Sequence, residues 1–356
     1  MAVIRLKDIA ARAGVSVMTV SKVLRDAPDI SAGTKTRIKL LAQQLGYVPD
    51  TMAQSLRSRK SKLLGLIIPN IAHPIFARMV MAIADRAHEA GYEIVLAQTQ
   101  NVPEREDSCV LRLLSRRVDG LLISPVYRPA DHVRAYQELA ARGTPTVILG
   151  PLAPFCRQFP NVEGEEETAS YRVTQHLLAL GHQRIAFLAG RPLASWAQQR
   201  LAGYKRALRE ANLEMEDRWI FQAGGTIEDG AKAALEMINE SCPATAIQAI
   251  NDLVAIGCGE TLLGQGWKIP EEISLAGFGN MMAAEHFRVP LTTVRQPKHR
   301  LGAAAMECLL QLLRGEKAQS RQLPATLAIR ASTAPPTQQP VPPRAAPEHR
   351  SASERV

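Results

Sequence analysis

No apolar run among the 356 residues approaches the roughly 18 that a membrane span needs, so no membrane partner is expected. A secretory leader does not show either, because Asp8, Arg12 and Ser16 break any apolar stretch near the N-terminus. The cytoplasm is the expected location. The five cysteines, Cys109, Cys156, Cys242, Cys258 and Cys308, lie far apart and form no CxxC pair. That pattern argues against a disulfide framework or a zinc site and favours buried, weakly polar thiols. Catalytic signatures are missing as well. No GxSxG, HExxH or P-loop occurs, and the GCGETLLG run has the wrong spacing for a dinucleotide fingerprint. His73 and His182 therefore lack partner motifs and are expected to be structural. Neither a catalytic residue, a cofactor nor a metal is expected.

What is present is a globular composition, 46% hydrophobic and 22% charged, over a length that suggests two or three domains. The charge is unevenly placed. Residues 1–62 carry twelve Lys/Arg against four acids, so +8 of the net +9 sits there and +1 remains for the rest. A compact basic module on a near-neutral body points to a polyanion partner. A solvated charged face would give the same balance, so the local pattern has to decide.

Three short helical patterns fill the first fifty residues. Leu6–Ala13 places Ile9, Ala10 and Ala13 on one face, and Gly14 permits a tight turn. Ser16 can cap a second helix to about Leu24, with Val20, Val23 and Leu24 inward. A third, after Ser31, buries Ile38, Leu41, Ala42 and Leu45 and stops at Gly46. Two helices joined by a glycine turn, the second one capped, make a helix-turn-helix pattern. Its second helix can enter a major groove with Val17, Met18, Ser21 and Lys22 exposed, while Ser16, Thr19, Ser31 and Thr34 offer hydroxyls to phosphates. Three small helices can also be an inert bundle; the basic charge favours DNA.

From Leu63 onward, strand-like apolar runs alternate with helical patterns. The runs are Leu63–Pro69, Glu93–Gln98, Val118–Ser124, Thr144–Gly150, Arg184–Gly190, Trp219–Ala223, Ala246–Asn251 and Ile273–Gly279. Such continuous runs suit parallel strands covered on both faces, and the alternation predicts α/β, doubly wound structure in two lobes. Ligands of such sheets bind beyond the carboxyl ends of the strands. The segments found there include Gln100, Ser124, Gly150, Gly190, Gly225, Asn251, Asp252 and Gly279. The Pro-rich tail from 334 to 356 is expected to be disordered.

The stretches LKDIAARAGVSVMTVSKVLRD and LGYVPDTMAQSLRS resemble the N-terminus of the lactose/galactose repressor (LacI/GalR) family. The resemblance continues through GLIIPNIAHPIFARMV, RRVDGLLISP, HLLALGHQRIAFLAG, RLAGYKRAL, AINDLVAIG and VPLTTVRQP, in the family's order, over residues 5–333. It implies a helix-turn-helix domain (1–49), a hinge helix and linker (50–62) and a two-lobed core of the periplasmic-binding-protein type (63–333). It also implies a repressor that binds pseudo-palindromic double-stranded operator DNA as a homodimer. Leu56 would wedge into the minor groove and kink the duplex, with Arg57 near phosphates. A small-molecule effector, a sugar or sugar acid, would lie between the lobes.

For the effector, Arg200 matches the family's effector-binding arginine, whose fork suits a carboxylate, phosphate or paired hydroxyls. Phe76 matches an aromatic lining the cleft, and Glu165 stands at a usual aspartate position. Asn251 and Asp252 match a ligand-contacting pair; Asp252 either accepts from hydroxyls or caps the next helix. Three departures imply a roomier pocket with fewer hydroxyl acceptors: Gly279 replaces an aspartate, Gly150 an arginine and Gly225 an aromatic. A larger or acidic ligand on Arg200 then fits better than a simple sugar. A periplasmic sugar-binding protein would need a leader and no helix-turn-helix. An enzyme is the weakest alternative.

Overall fold

A computed structural model describes residues 4–47, 60–214 and 216–337, and these form two compact units, 1–61 and 62–356. The expected hinge helix, with Leu56 and Arg57, lies outside the described residues, as does the tail from 338. No helix among the described residues is long and apolar enough to cross a membrane.

The first unit holds α1 (Leu6–Ala13), α2 (Val17–Leu24) and α3 (Ala32–Gln44). Gly14, at φ +66°, ends α1 in the left-handed region that a side chain rarely adopts. The Ser16 hydroxyl accepts from the Thr19 amide at 3.0 Å and starts α2, and Ser31 does the same for Thr34 at 3.4 Å and starts α3. Ile9, Val20, Val23 and Ile38 are fully buried where the three helices meet. Each contributes roughly 1.5–3 kcal/mol, which is most of what so small a core has. Leu24, Leu41 and Leu45 only flank that core, half-buried.

In the second unit, β1 (Leu63–Ile68), β2 (Glu93–Gln98), β3 (Gly120–Ile123), β4 (Thr146–Leu149), β5 (Asn161–Gly164) and β11 (Arg321–Leu323) form one parallel sheet, ordered β2-β1-β3-β4-β5-β11. Period-two alternation sends Ile67, Leu121 and Ile123 to one face and Leu66, Ile68 and Leu122 to the other, each face having its own core. The helices α4 (Pro74–Glu89), α5 (Pro103–Ser115), α6 (Arg134–Ala141) and α12 (Lys298–Leu313) cover it. A Cβ at Gly302 would stand 2.5 Å from the Met79 carbonyl oxygen, so glycine sets how closely α12 can lie on α4.

The second lobe is a four-stranded parallel sheet, ordered β7-β6-β8-β9, of β6 (Ile185–Ala189), β7 (Ile220–Gln222), β8 (Ala246–Ala249) and β9 (Ser274–Ala276). Around it lie α7 (Glu166–Ala179), α8 (Ser195–Glu210), α9 (Ile227–Asn239), α10 (Asp252–Gly264) and the short α11 (Met282–Glu285). An antiparallel pair, β10 (Thr293–Arg295) and β12 (Thr326–Ala328), runs beside the crossings between lobes near 165, 296 and 325.

Each of the eight apolar runs contains a strand. The strands without a matching run are β5 (NVEG), β10 (TVR), β11 (RQL) and β12 (TLA), which are too short and polar to carry a hydrophobic signal. The tail is corrected at its start. Ala334 is held on the second lobe, its amide donating to Ser274 Oγ at 3.0 Å and its carbonyl lying 2.9 Å from His182 Nε2. His182 is buried and also reaches Thr245 Oγ1 at 2.9 Å, a structural role. Among the cysteines, Cys242 is only half-buried while the other four are buried.

Candidate nucleic-acid interface and ligand cleft

The N-terminal half of α2 faces solvent. Val17 is 46% and Met18 62% exposed, too much for apolar side chains that serve only the core. Ser16 and Thr19 share a hydroxyl–hydroxyl bond of 2.9 Å at the start of α2, and Ser31 and Thr34 repeat it at the start of α3. Two helix N-termini with hydroxyls beside their free amides are an anion-binding arrangement. Ser21 is half-buried one turn further on. Lys22 is not a free cation. Its ammonium pairs with Asp29 at 2.5 Å, and that contact holds the Asp29 carboxyl below its usual range.

The cleft residues assemble where the parallel strands end. Arg200, 6% exposed on α8, sends Nε and Nη2 to Glu166 Oε2, both at 2.7 Å, and Nη1 to the Ile250 carbonyl at 2.6 Å. Its guanidinium stacks 3.6 Å from the Phe278 ring centroid and 4.9 Å from that of Trp196. Gln296 donates to the other Glu166 oxygen at 2.8 Å. The carboxylate expected to serve this site was Glu165. Its neighbour Glu166 is the one that meets Arg200, while Glu165 is half-buried, with Oε2 3.8 Å from Arg172. Three consecutive glutamates, 165 to 167, offer no periodic signal to separate them.

Asn251 caps α10, its Oδ1 accepting from Val254 N at 2.8 Å, and its amide donates to the Gly225 carbonyl at 3.0 Å. Asp252 is fully buried and does not cap that helix. It accepts from the Met281 amide at 2.7 Å and the Thr293 hydroxyl at 2.5 Å, tying the end of β9 to β10, and burial raises its carboxyl. Ser124 is buried at the end of β3. Gln100 is exposed, with its side-chain oxygen engaged by Arg105.

The three glycines differ in consequence. The space at Gly150 is covered by Tyr127, whose hydroxyl lies 3.4 Å from a Cβ built there and donates to the Pro151 carbonyl at 2.8 Å. Gly279 has φ +134°, and a Cβ there would be 3.4 Å from Asp252 Oδ2, so an aspartate would be strained beside a buried carboxylate. At Gly225 the nearest atom to a Cβ is Asn251 Nδ2, at 3.8 Å, an ordinary contact, so a side chain there would meet no clash at its Cβ.

Across the cleft, Phe76 is half-buried and packs edge-on against His73, 5.9 Å between centroids. His73 starts α4, its Nδ1 accepting from Ile75 N at 3.4 Å. Burial, then the charges of Arg200 and Lys298, push it down to about 4. Trp196, Phe278, Gln296 and Lys298 were not singled out from sequence. Only the i, i+4 spacing of Trp196 and Arg200 on one helix could have pointed to the first.

Residues 61–333 match the family model described as periplasmic binding proteins and sugar binding domain of the LacI family, and residues 5–50 the model of bacterial regulatory proteins, lacI family. The chain is 29% identical to the HTH-type transcriptional regulator DegA of Bacillus subtilis, covering 92% of this chain and 97% of that one. It is 30% identical to the HTH-type transcriptional repressor CytR of Escherichia coli, covering 92% and 96%. Among solved structures, the Lac repressor dimer bound to operator and the anti-inducer ONPF superposes with a TM-score of 0.83 at 30% identity, over 93% of this chain and 99% of that one. A basic helix-turn-helix unit followed by a two-lobed α/β core, matched over nearly its full length, places this chain in the LacI family of bacterial regulatory proteins, transcriptional regulators rather than enzymes.

Proposed function

We propose that this regulator works in the cytoplasm as a homodimeric repressor. It binds a pseudo-palindromic operator through the α2 face and releases or tightens on it when a sugar-like effector fills the cleft between the lobes. The observation that carries this reading is the exposed pair Val17 and Met18 at the start of a capped helix in a basic module, on the same chain as a buried polar cleft around Arg200. A dimer is the state in which the Lac repressor, 30% identical to this chain, was solved on operator.

Val17, Met18 and Lys22 read base edges in this account. Ser16, Thr19, Ser21, Ser31 and Thr34 hold phosphates, Leu56 wedges the minor groove and Arg57 sits near the backbone. Asp29 aims Lys22, and Lys22 exchanges that partner for a base on binding. The effector meets Phe76, Ser124, Asn251 and the outward edge of Arg200. Asp252 and Gly279 shape the floor of the site. Gln100 and Glu165, engaged by Arg105 and Arg172, are its outer rim.

Selection of bound fragments from random DNA, followed by titration of the variants, tests the first half. Lys22→Ala should change which sequence is preferred, at about 1–3 kcal/mol for the lost contact, whereas Ser31→Ala and Thr34→Ala should weaken all sequences alike. Equal losses on every sequence for Lys22→Ala would contradict its role.

A further inference from the structure

Arg200 is a poor place for an anionic ligand. Glu166 already occupies its Nε and Nη2 edge, and Phe278 covers a face. The cation with capacity to spare is Lys298. It is the first residue of α12, in the first lobe, and its half-buried ammonium reaches across to the Asn280 carbonyl of the second lobe at 3.3 Å. Among the described residues no other hydrogen bond to it is found, although an ammonium has three donors. The surroundings do not favour a positive charge. Burial lowers its affinity for the proton by more than the Asp252 carboxylate raises it, Arg78 lowers it further, and the positive end of a sixteen-residue helix lies beneath it.

Among the described residues no acid hydrogen-bonds the Lys298 ammonium. Asp252 attracts Lys298 from a distance but is committed to Thr293 and Met281, and Glu166 to Arg200 and Gln296. His73 lies within the field of both Arg200 and Lys298 and stays neutral, with Nδ1 turned to the Ile75 amide, which leaves its other ring nitrogen as a proton donor. Phe76 is at its side. A partly desolvated lysine with unused donors, whose field reaches a neutral histidine donor, is arranged to receive oxygen anions.

We propose that the effector carries an anionic group, a carboxylate or a phosphate, and that Lys298 with His73 is what selects it. This rests on the cleft being the effector site, and it moves the anion-binding role from Arg200 to Lys298. The rest of the ligand then lies toward Phe76 and Gly225, which carries no side chain, with Asn251 and Arg200 on its polar edge.

All three tryptophans, Trp196, Trp219 and Trp267, lie in the second lobe and none in the basic module. Tryptophan fluorescence therefore reports the cleft without answering to anions bound at the DNA-binding helices. The full chain is titrated at constant ionic strength with inorganic phosphate, gluconate and glucose. Saturable responses to phosphate or gluconate are expected, weakened at least tenfold in Lys298→Met and kept within a few-fold in Lys298→Arg; which anion binds tighter separates phosphate from carboxylate. Without anion, Lys298→Met should melt no lower than the parent, because it removes an ill-placed charge. Lys298→Gln serves if the methionine variant misfolds. Unchanged anion binding in the neutral variants, or no saturable response to either anion in the parent, overturns the proposal. A response to glucose alone that also alters operator affinity overturns it too, yet leaves the effector-cleft reading intact. Anion binding that depends on Lys298 while no cleft ligand changes operator affinity upholds the anion site and overturns that reading instead.

Discussion

Arg200 and Glu166 are each 6% exposed, and neither has water to fall back on if the other is removed. Breaking such a pair by one substitution leaves a buried charge and costs about 3–5 kcal/mol, while removing both sides is far milder. Arg200→Ala should therefore lose the ligand response and also lower stability, and Glu166→Ala should destabilise by a similar amount. The double variant Arg200→Met with Glu166→Met should recover most of the loss in urea denaturation. Additive losses would mean that the two groups are not a unit.

His73 gives a pH signature. The unfolded chain takes up its proton near 6.5 and the folded chain near 4, so between those values the unfolded state holds more protons and stability rises with pH. Its contribution is complete above about 6.5 and is lost as the pH falls toward 4. Glu106, pushed up to about 7 by burial, slopes the opposite way over nearly the same range, because there the folded state keeps the proton longer. The parent profile mixes the two. The difference between parent and His73→Asn, which keeps a helix cap, isolates the histidine: the variant should lose about 2–3 kcal/mol less on acidification from 7 to 4. Identical profiles would place His73 in a solvated position.

Among the elements, the packing of α4 on α12 positions His73 and Lys298 at the same end of the first lobe. Gly302 permits it. Gly302→Ala puts a methyl against the Met79 carbonyl, a backbone atom that cannot rotate away, and should cost about 1–3 kcal/mol. Because the displaced helix carries Lys298, anion affinity should fall along with the melting temperature. A stable Gly302→Ala variant with unchanged ligand affinity would show that the spacing is not critical.

At this scale the sequence was informative where hydrophobic period and punctuation agree. The three small helices could be read from Gly14, Ser16, Ser31 and Gly46, and eight strands from apolar runs. The short polar strands beside the crossings could not, because β5, β10, β11 and β12 are held by neighbouring strands rather than by their own apolar content. The cleft was legible as a region and much less as a set of contacts. Position after a strand led to Ser124, Asn251 and Gly279. Which of two adjacent glutamates meets Arg200, and that the Tyr127 hydroxyl lies against Gly150, depend on side chains brought together from distant segments.

For the whole molecule, the basic module and the cleft are far apart in the chain, and the account requires them to be thermodynamically linked. A cleft ligand can act on the operator only through different affinities for two arrangements of the lobes. The linkage must be reciprocal, so operator DNA has to change the ligand affinity by the same factor. The expected hinge suits this, since a helix of about nine residues is marginal alone and responds to small changes in its surroundings. The most direct test is an equilibrium titration of a selected operator by fluorescence anisotropy, at fixed salt, with and without a saturating cleft ligand. The parent chain should shift its operator affinity by about 5–150-fold, the range of a typical coupling free energy, and Lys298→Met should show no shift at the same anion concentration while binding the operator normally without ligand. An operator affinity that is the same with the cleft filled and empty would contradict the account.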